Sequence, residues 1–197
     1  EQIFFTSGGT EANNQVLWTK AEDKKKHIIV SSIEHPAILK VLKKIEPHGV
    51  TTSLLPVNND GTVEIDSLKN LIHDDTGLVS IMLANNEVGT IQPVQEIVKI
   101  TRSLNIPFHT DAVQALGKIP VDVNSLGVEY LSLSAHKFYG PKGIGALFVK
   151  RKKMVKSLIV GGEQEYGIRG GTENIAGIVG MGLAAELATQ NQKNCHT

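Results

Sequence analysis

A lysine stands beside a histidine at the end of an apolar run, in Ser134-Ala135-His136-Lys137, and a Gly/Pro turn, Gly140-Pro141-Lys142-Gly143, follows it. Buried lysine amines lose basicity and condense with carbonyl groups. Asp111 closes another apolar run, where a carboxylate needs a cation or hydrogen-bond donors beside it. His35, in Glu34-His35-Pro36, follows a third run; a lone histidine there is more often structural than functional. Ser7-Gly8-Gly9-Thr10-Glu11 leads from a fourth run into a helix. Glycines let backbone approach an anion, and a helix start offers free N–H groups and a positive dipole end. The same residues read equally well as a plain capping turn with Thr10 as cap. Asn85 and Asn86 end a fifth run, and they either satisfy loop backbone or face a ligand.

Each signal alone is weak. Together they match the needs of pyridoxal phosphate: a helix start and hydroxyls for the phosphate, a carboxylate for the pyridine nitrogen, a lysine for the aldehyde. The Gly-rich stretches are not Walker A loops. Lys142, in Gly140-Pro-Lys-Gly-Ile-Gly145, has no Ser or Thr after it to hold magnesium, so a nucleotide module is a poor reading.

The elements that would position these groups alternate along the chain. Strand patterns cover residues 3–5, 27–31, 50–57, 78–83, 106–109, 130–134 and 144–149. Helical patterns cover 11–20, 36–45, 66–72, 94–104 and 175–188, with Pro36 well placed in a first turn. This order predicts an open, mostly parallel sheet wrapped by helices, a three-layer α/β/α fold. Such sheets bind ligands at the carboxyl ends of their strands, where all the groups above fall.

Composition narrows the function class. The 197 residues are 41% hydrophobic and 20% charged, which is globular. Net charge is zero, which argues against nucleic-acid binding by bulk electrostatics. The single cysteine, Cys195, excludes an intrachain disulfide and any zinc site built on several thiolates. No apolar run approaches the roughly 20 residues of a membrane helix.

The longer motifs make the reading more specific. Phe5-Thr-Ser-Gly-Gly-Thr-Glu-Ala-Asn-Asn14, Ser32-Ile-Glu-His-Pro36, Ala84-Asn-Asn-Glu-Val-Gly-Thr90, His109-Thr-Asp-Ala-Val-Gln114, Ser134-Ala-His-Lys-Phe-Tyr-Gly140 and Arg169-Gly-Gly-Thr-Glu-Asn174 occur in this order. The chain resembles the class V aminotransferase superfamily of fold-type I pyridoxal-phosphate enzymes, within it the NifS/IscS-like cysteine desulfurases and the related selenocysteine lyases. The resemblance implies that residues 1–197 are the large cofactor-binding domain, without the family's N-terminal segment and C-terminal small domain. It implies that Lys137 bonds the cofactor aldehyde and shuttles the Cα proton, and that Asp111 pairs with the ring nitrogen. Gln114 would donate to the ring oxygen, and His35 would stack on the ring. Thr10, Ser134, His136 and the Gly9 backbone would hold the phosphate, with Asn86 near substrate and cofactor. Thr172 would reach the phosphate of a neighbouring subunit, hence a homodimer. The implied reaction takes sulfur from L-cysteine, or selenium from L-selenocysteine, leaving L-alanine. The cysteine route leaves a protein persulfide for an acceptor such as an iron–sulfur scaffold protein or a thiolation pathway. The implied location is cytoplasmic, or mitochondrial for a eukaryotic parent.

Two departures stand out. The family's attacking cysteine and its carboxylate-binding arginine lie on the small domain, and Cys195 does not match that loop's position. Tyr166 stands where the family usually has arginine. A catalytically incomplete scaffold is therefore the competing reading for these 197 residues.

Overall fold

The computed structural model describes residues 2–192; Cys195 lies outside them. Seven strands form one sheet in the order β1-β7-β6-β5-β4-β2-β3. They are β1 (Gln2–Thr6), β2 (His27–Ser31), β3 (Thr51–Leu55), β4 (Thr76–Ser80), β5 (Phe108–Asp111), β6 (Tyr130–Ser134) and β7 (Gly145–Val149). The run from β3 to β6 is parallel, and only β7 is reversed, pairing antiparallel with both β6 and β1. The expected mostly parallel sheet is present.

Side chains alternate across each strand and feed two cores. Ile28, Val30, Leu78, Tyr130 and Leu147 pack with α1 (Gly9–Ala21) and α2 (Pro36–Ile45) on one face. Ile29, Val79, Phe108, Leu131 and Phe148 pack with α3 (Ile65–Leu71) and α4 (Val94–Ser103) on the other. Strands buried on both faces read as continuous apolar runs, which is why 78–83 stood out in the sequence. Helix α5 (Val123–Leu126) is a single turn whose start Asp122 caps through Asn124 and Ser125 N–H. Helix α6 (Ile175–Asn191) packs on a short 3-10 turn, Ala135–Phe138, through Met181 and Phe138.

The strand boundaries shift from the sequence pattern. Strand β4 starts at Thr76, and the expected residues 81–83 lie past its end. They still bond to β5, through Ile81 N–H to His109 O and Leu83 N–H to Asp111 O. Backbone pairing therefore carries the chain to the point where Met82, Ala84 and Asn86 enter the site.

Candidate active site

The carboxyl ends of β2, β4, β5 and β6 and the start of α1 surround one cavity of about 370 Å³. Gly9, Thr10, His35, Asn86, Asp111, Gln114, Ser134, His136 and Lys137 all line it. Nine of the ten residues given catalytic or cofactor-binding roles from the sequence thus converge on a single site. Thr172 does not; it lines a separate small cleft with Ser7, Glu165 and Arg169.

Helix α1 begins directly against the cavity. Its N-cap is Gly8, which makes no side-chain capping bond, and Thr10 lies inside the helix. The plain capping turn with Thr10 as cap is thereby overturned. First-turn N–H groups have no intrahelical partner, so the positive end of α1 faces the site uncapped. A Cβ on Gly9 would lie 2.5 Å from Val113 Cγ2, so any larger residue there would have to displace Val113 for α1 to start this close to the end of β5. Glu11 turns away, accepting the Ser7 N–H at 2.9 Å and pairing with Arg169 at 3.0 Å. Burial opposes its ionisation, but Arg169 and Ser7 together hold its carboxyl below the usual range.

Asp111 is 6% exposed. Its Oδ1 accepts the Val113 N–H at 3.0 Å and its Oδ2 accepts the Asn13 amide at 2.6 Å. Burial raises its pKa, opposed by those two bonds and by the electrostatic influence of the neighbouring His35 and Lys137. A carboxylate so held gains from a cation placed in the cavity. Asn13 is a site residue that the sequence reading missed. The signal was available: Asn13 stands four residues after Gly9, on the same face of α1. Its Oδ1 is buried without a partner among the described residues.

His35 is at once structural and placed for function. It is the N-cap of α2, and its Nδ1 accepts the Ala37 N–H at 3.0 Å. Nδ1 is therefore the unprotonated nitrogen, and Nε2 carries the ring proton. Gln114 Oε1 accepts the Lys118 ammonium at 2.9 Å, which leaves the Gln114 amide N–H groups free to donate. Burial, then the nearby charge of Lys137, lowers the Lys118 pKa. Ser134 Oγ lies 3.0 Å from His136 Nδ1, joining two groups on the cavity wall below α1. Tyr166 does not line the cavity; its ring meets Phe4 edge-on at 6.4 Å and Lys152 Nζ at 5.6 Å.

Two further titratable groups flank the site, His109 within β5 and Glu34 in the β2–α2 loop. His109 is fully buried between Ser80 Oγ at 2.7 Å and Ser132 Oγ at 3.0 Å, and burial pushes its pKa down to about 3. Burial pushes Glu34 up to about 8, with the Asp111 charge adding to the effect and bonds from Ser31 and Met82 opposing it. The two act on stability with opposite sign. Neutral His109 stabilises fully above its unfolded value of 6.5, and that contribution is lost as pH falls toward 3. Neutral Glu34 stabilises fully below its unfolded value of 4.5, and that contribution is lost as pH rises toward 8. Between pH 4.5 and 6.5 the two slopes cancel. Urea unfolding across this window is expected to show that His109→Gln makes stability fall with rising pH and Glu34→Gln makes it climb. Each tilt should be about 1.4 kcal/mol per pH unit. Parallel profiles for both variants and the wild type would contradict this assignment.

The comparisons with known proteins decide the family. The model of the class-V aminotransferase family matches residues 1–196. The chain belongs to that family. The cysteine desulfurase IscS of Dictyoglomus turgidum is 53% identical over 191 residues, covering 95% of this chain and 48% of that protein. The mitochondrial cysteine desulfurase of Arabidopsis thaliana is 46% identical over 198 residues, covering 98% of this chain and 44% of that protein. Among solved structures, a NifS-like protein superposes with a TM-score of 0.94 at 45% identity, over 98% of this chain and 54% of its own. SspA in complex with cysteine superposes at 0.87 and 40% identity, over 93% of this chain and 55% of its own. The chain spans about half the length of the curated relatives it matches. As a class-V aminotransferase relative it shares the NifS-like fold, which is that of the fold-type I pyridoxal-phosphate enzymes.

The cavity suits that cofactor on structural grounds. A dianionic phosphate fits the uncapped start of α1, where Gly9 leaves no side chain in the way. A ring nitrogen that is cationic fits the buried Asp111. An aldehyde fits the Lys137 amine on the same wall.

Proposed function

We propose that this chain binds pyridoxal phosphate in the cavity and forms the cofactor-binding large domain of a cysteine desulfurase. One observation carries the reading: Lys137, Asp111 and the uncapped start of α1 face a single cavity. The identity to cysteine desulfurases supports the choice of reaction. The solved complex of SspA with cysteine supports the choice of substrate.

When bound, the cofactor supplies an electron sink for the pair left at the substrate Cα. Lys137 would hold it through Nζ and, once released, carry the Cα proton. Asp111, steadied by Asn13 and Val113, would keep the ring nitrogen protonated. His35 would pack on the ring face, with its proton on Nε2. Gln114, its oxygen taken by Lys118, would donate through its amide. Gly9 backbone, Thr10, Ser134 and His136 would take the phosphate, and Asn86 would stand near the substrate.

The products are L-alanine and a persulfide on the accepting protein thiol, which an acceptor such as an iron–sulfur scaffold protein would relieve. That thiol is not among the described residues. A homodimer fits the surface of α6, where Ile175, Val179, Leu183 and Leu187 form one exposed apolar row. It also gives Thr172, outside its own cavity, a neighbour's phosphate to reach.

The test is alanine release from L-cysteine and from L-selenocysteine by the whole protein with pyridoxal phosphate and a thiol reductant. Alanine from cysteine, with sulfide in equal amount, is the expected result. Alanine from selenocysteine alone would replace the desulfurase with a selenocysteine lyase, and none from either would remove both.

A further inference from the structure

Glu34 does not line the cavity, but it ties together two segments that do. It is 4% exposed. Its Oε1 accepts the Ser31 hydroxyl at 2.6 Å and the Met82 backbone N–H at 2.9 Å. Ser31 ends β2 and Met82 lies just past the end of β4, the neighbouring strand. One carboxyl oxygen therefore bridges two adjacent strand ends at the floor of the site. A second tie runs beside it, where the Asn85 amide donates to Ile33 O at 3.1 Å. His35 follows directly after these two anchored residues, Ile33 and Glu34.

We propose that Glu34 is a positioning residue for His35, pinning the β2–α2 loop to the end of β4 and so fixing where the imidazole meets the cavity. The proposal rests on the cofactor reading above. His35 fixes its own ring through the Ala37 N–H, but that bond moves with the loop. The Ser32 N–H bond to Leu55 O and the Asn85 bond to Ile33 O hold the start of the loop against the sheet, and the Glu34 bridge, from a side chain with almost no solvent, is the tie directly next to His35. A buried N–H such as that of Met82, left without its acceptor, is costly enough to shift the segment.

The charge state of Glu34 sharpens the prediction. With its pKa at about 8, its carboxyl is neutral at pH 7 and adds no second negative charge beside Asp111. Its second oxygen, Oε2, is buried without a partner among the described residues, where a carboxylate would be severely penalised. A glutamine has the same shape and the same accepting oxygen. Glutamine therefore substitutes for this residue, whereas leucine, of similar size, lacks the acceptor.

The test titrates pyridoxal phosphate into the protein and records its Kd and the visible circular dichroism of the bound cofactor. The proteins are wild type, Glu34→Gln, Glu34→Leu, His35→Ala and the double variant Glu34→Leu/His35→Ala. Glu34→Gln is expected to bind within about twofold of wild type with the same dichroic band. Glu34→Leu is expected to bind about tenfold more weakly, with an altered band, the scale of one unsatisfied buried donor. In the His35→Ala background Glu34→Leu should add less than about twofold, because it acts through a ring no longer there. A full tenfold loss with His35 absent would overturn the proposal and leave Glu34 a purely structural group. So would Glu34→Gln binding as poorly as Glu34→Leu. Should far-ultraviolet dichroism show Glu34→Leu unfolded, Ser31→Ala takes its place in the same cycle. It removes the shorter of the two bonds and leaves the carbon skeleton intact, with about threefold weaker binding expected. Additivity of Ser31→Ala and His35→Ala would overturn the proposal equally. If wild type binds no pyridoxal phosphate, the cofactor reading falls first and the proposal with it.

Discussion

Lys137→Ala is expected to cut kcat by roughly 10³- to 10⁴-fold, the scale of a lost covalent and proton-transfer group. It should do so without unfolding the protein. Lys137 sits on a 3-10 turn whose anchors are its neighbours: Ala135 and Phe138 are buried, while His136 and Lys137 are exposed and line the cavity. Phe138 packs with Ile144, Ala146 and Met181, and none of these contacts involves the lysine stem. Removing an exposed side chain of this kind changes stability by less than about 0.5 kcal/mol. The measurement pairs alanine release with a urea unfolding curve. A variant retaining a tenth of wild-type kcat would deny Lys137 the role proposed for it. Should the alanine variant prove unfolded, Lys137→Arg replaces it in the same measurement, keeping the charge and the stem without a condensable amine.

Asp111→Asn carries the next largest effect. The substitution leaves Oδ1 to accept the Val113 N–H, so the turn after β5 is kept. At Oδ2 an amide would now face the Asn13 amide, donor against donor. Asn13 has a remedy in its unpartnered Oδ1, since turning its amide over presents that oxygen instead. The fold should therefore survive while the negative charge is lost. In the proposed reading the cation in the cavity then has no counter-ion. Loss of a charge-assisted hydrogen bond costs about 2–3 kcal/mol, so pyridoxal phosphate should bind roughly 30- to 150-fold more weakly. Equilibrium titration at pH 7 checks it, and an unchanged Kd would show that Asp111 does not face the ring nitrogen.

Much of the site was legible because of where parallel strands end. The residues after each apolar run, His35, Asn86, Asp111 and Lys137, needed no side-chain geometry to be placed together. The topology rule for open parallel sheets sufficed, and all four line one cavity. The parts that stayed hidden depend on long-range packing. Asn13 lies within a helix, and only the approach of α1 to β5 turns its amide onto Asp111. The fate of Thr10 depended on whether α1 starts at Gly9 or later, and it starts at Gly9, close against Val113. The reversal of β7 leaves no mark on local periodicity, because an antiparallel strand buried on both faces reads like a parallel one. Glu34 looked like part of a motif around His35. Its bridging role depends on Met82, 48 residues away in sequence, and its neutral state on burial.

The central claim is that the amine of Lys137 meets pyridoxal phosphate in this cavity. Incubation with pyridoxal phosphate, reduction with borohydride and peptide mapping by mass spectrometry tests it most directly. The predicted result is a single phosphopyridoxyl adduct on Lys137, which free phosphate weakens by competing for the start of α1. Label on Lys118 or scattered over surface lysines, in folded protein with Lys137 unmodified, would contradict it.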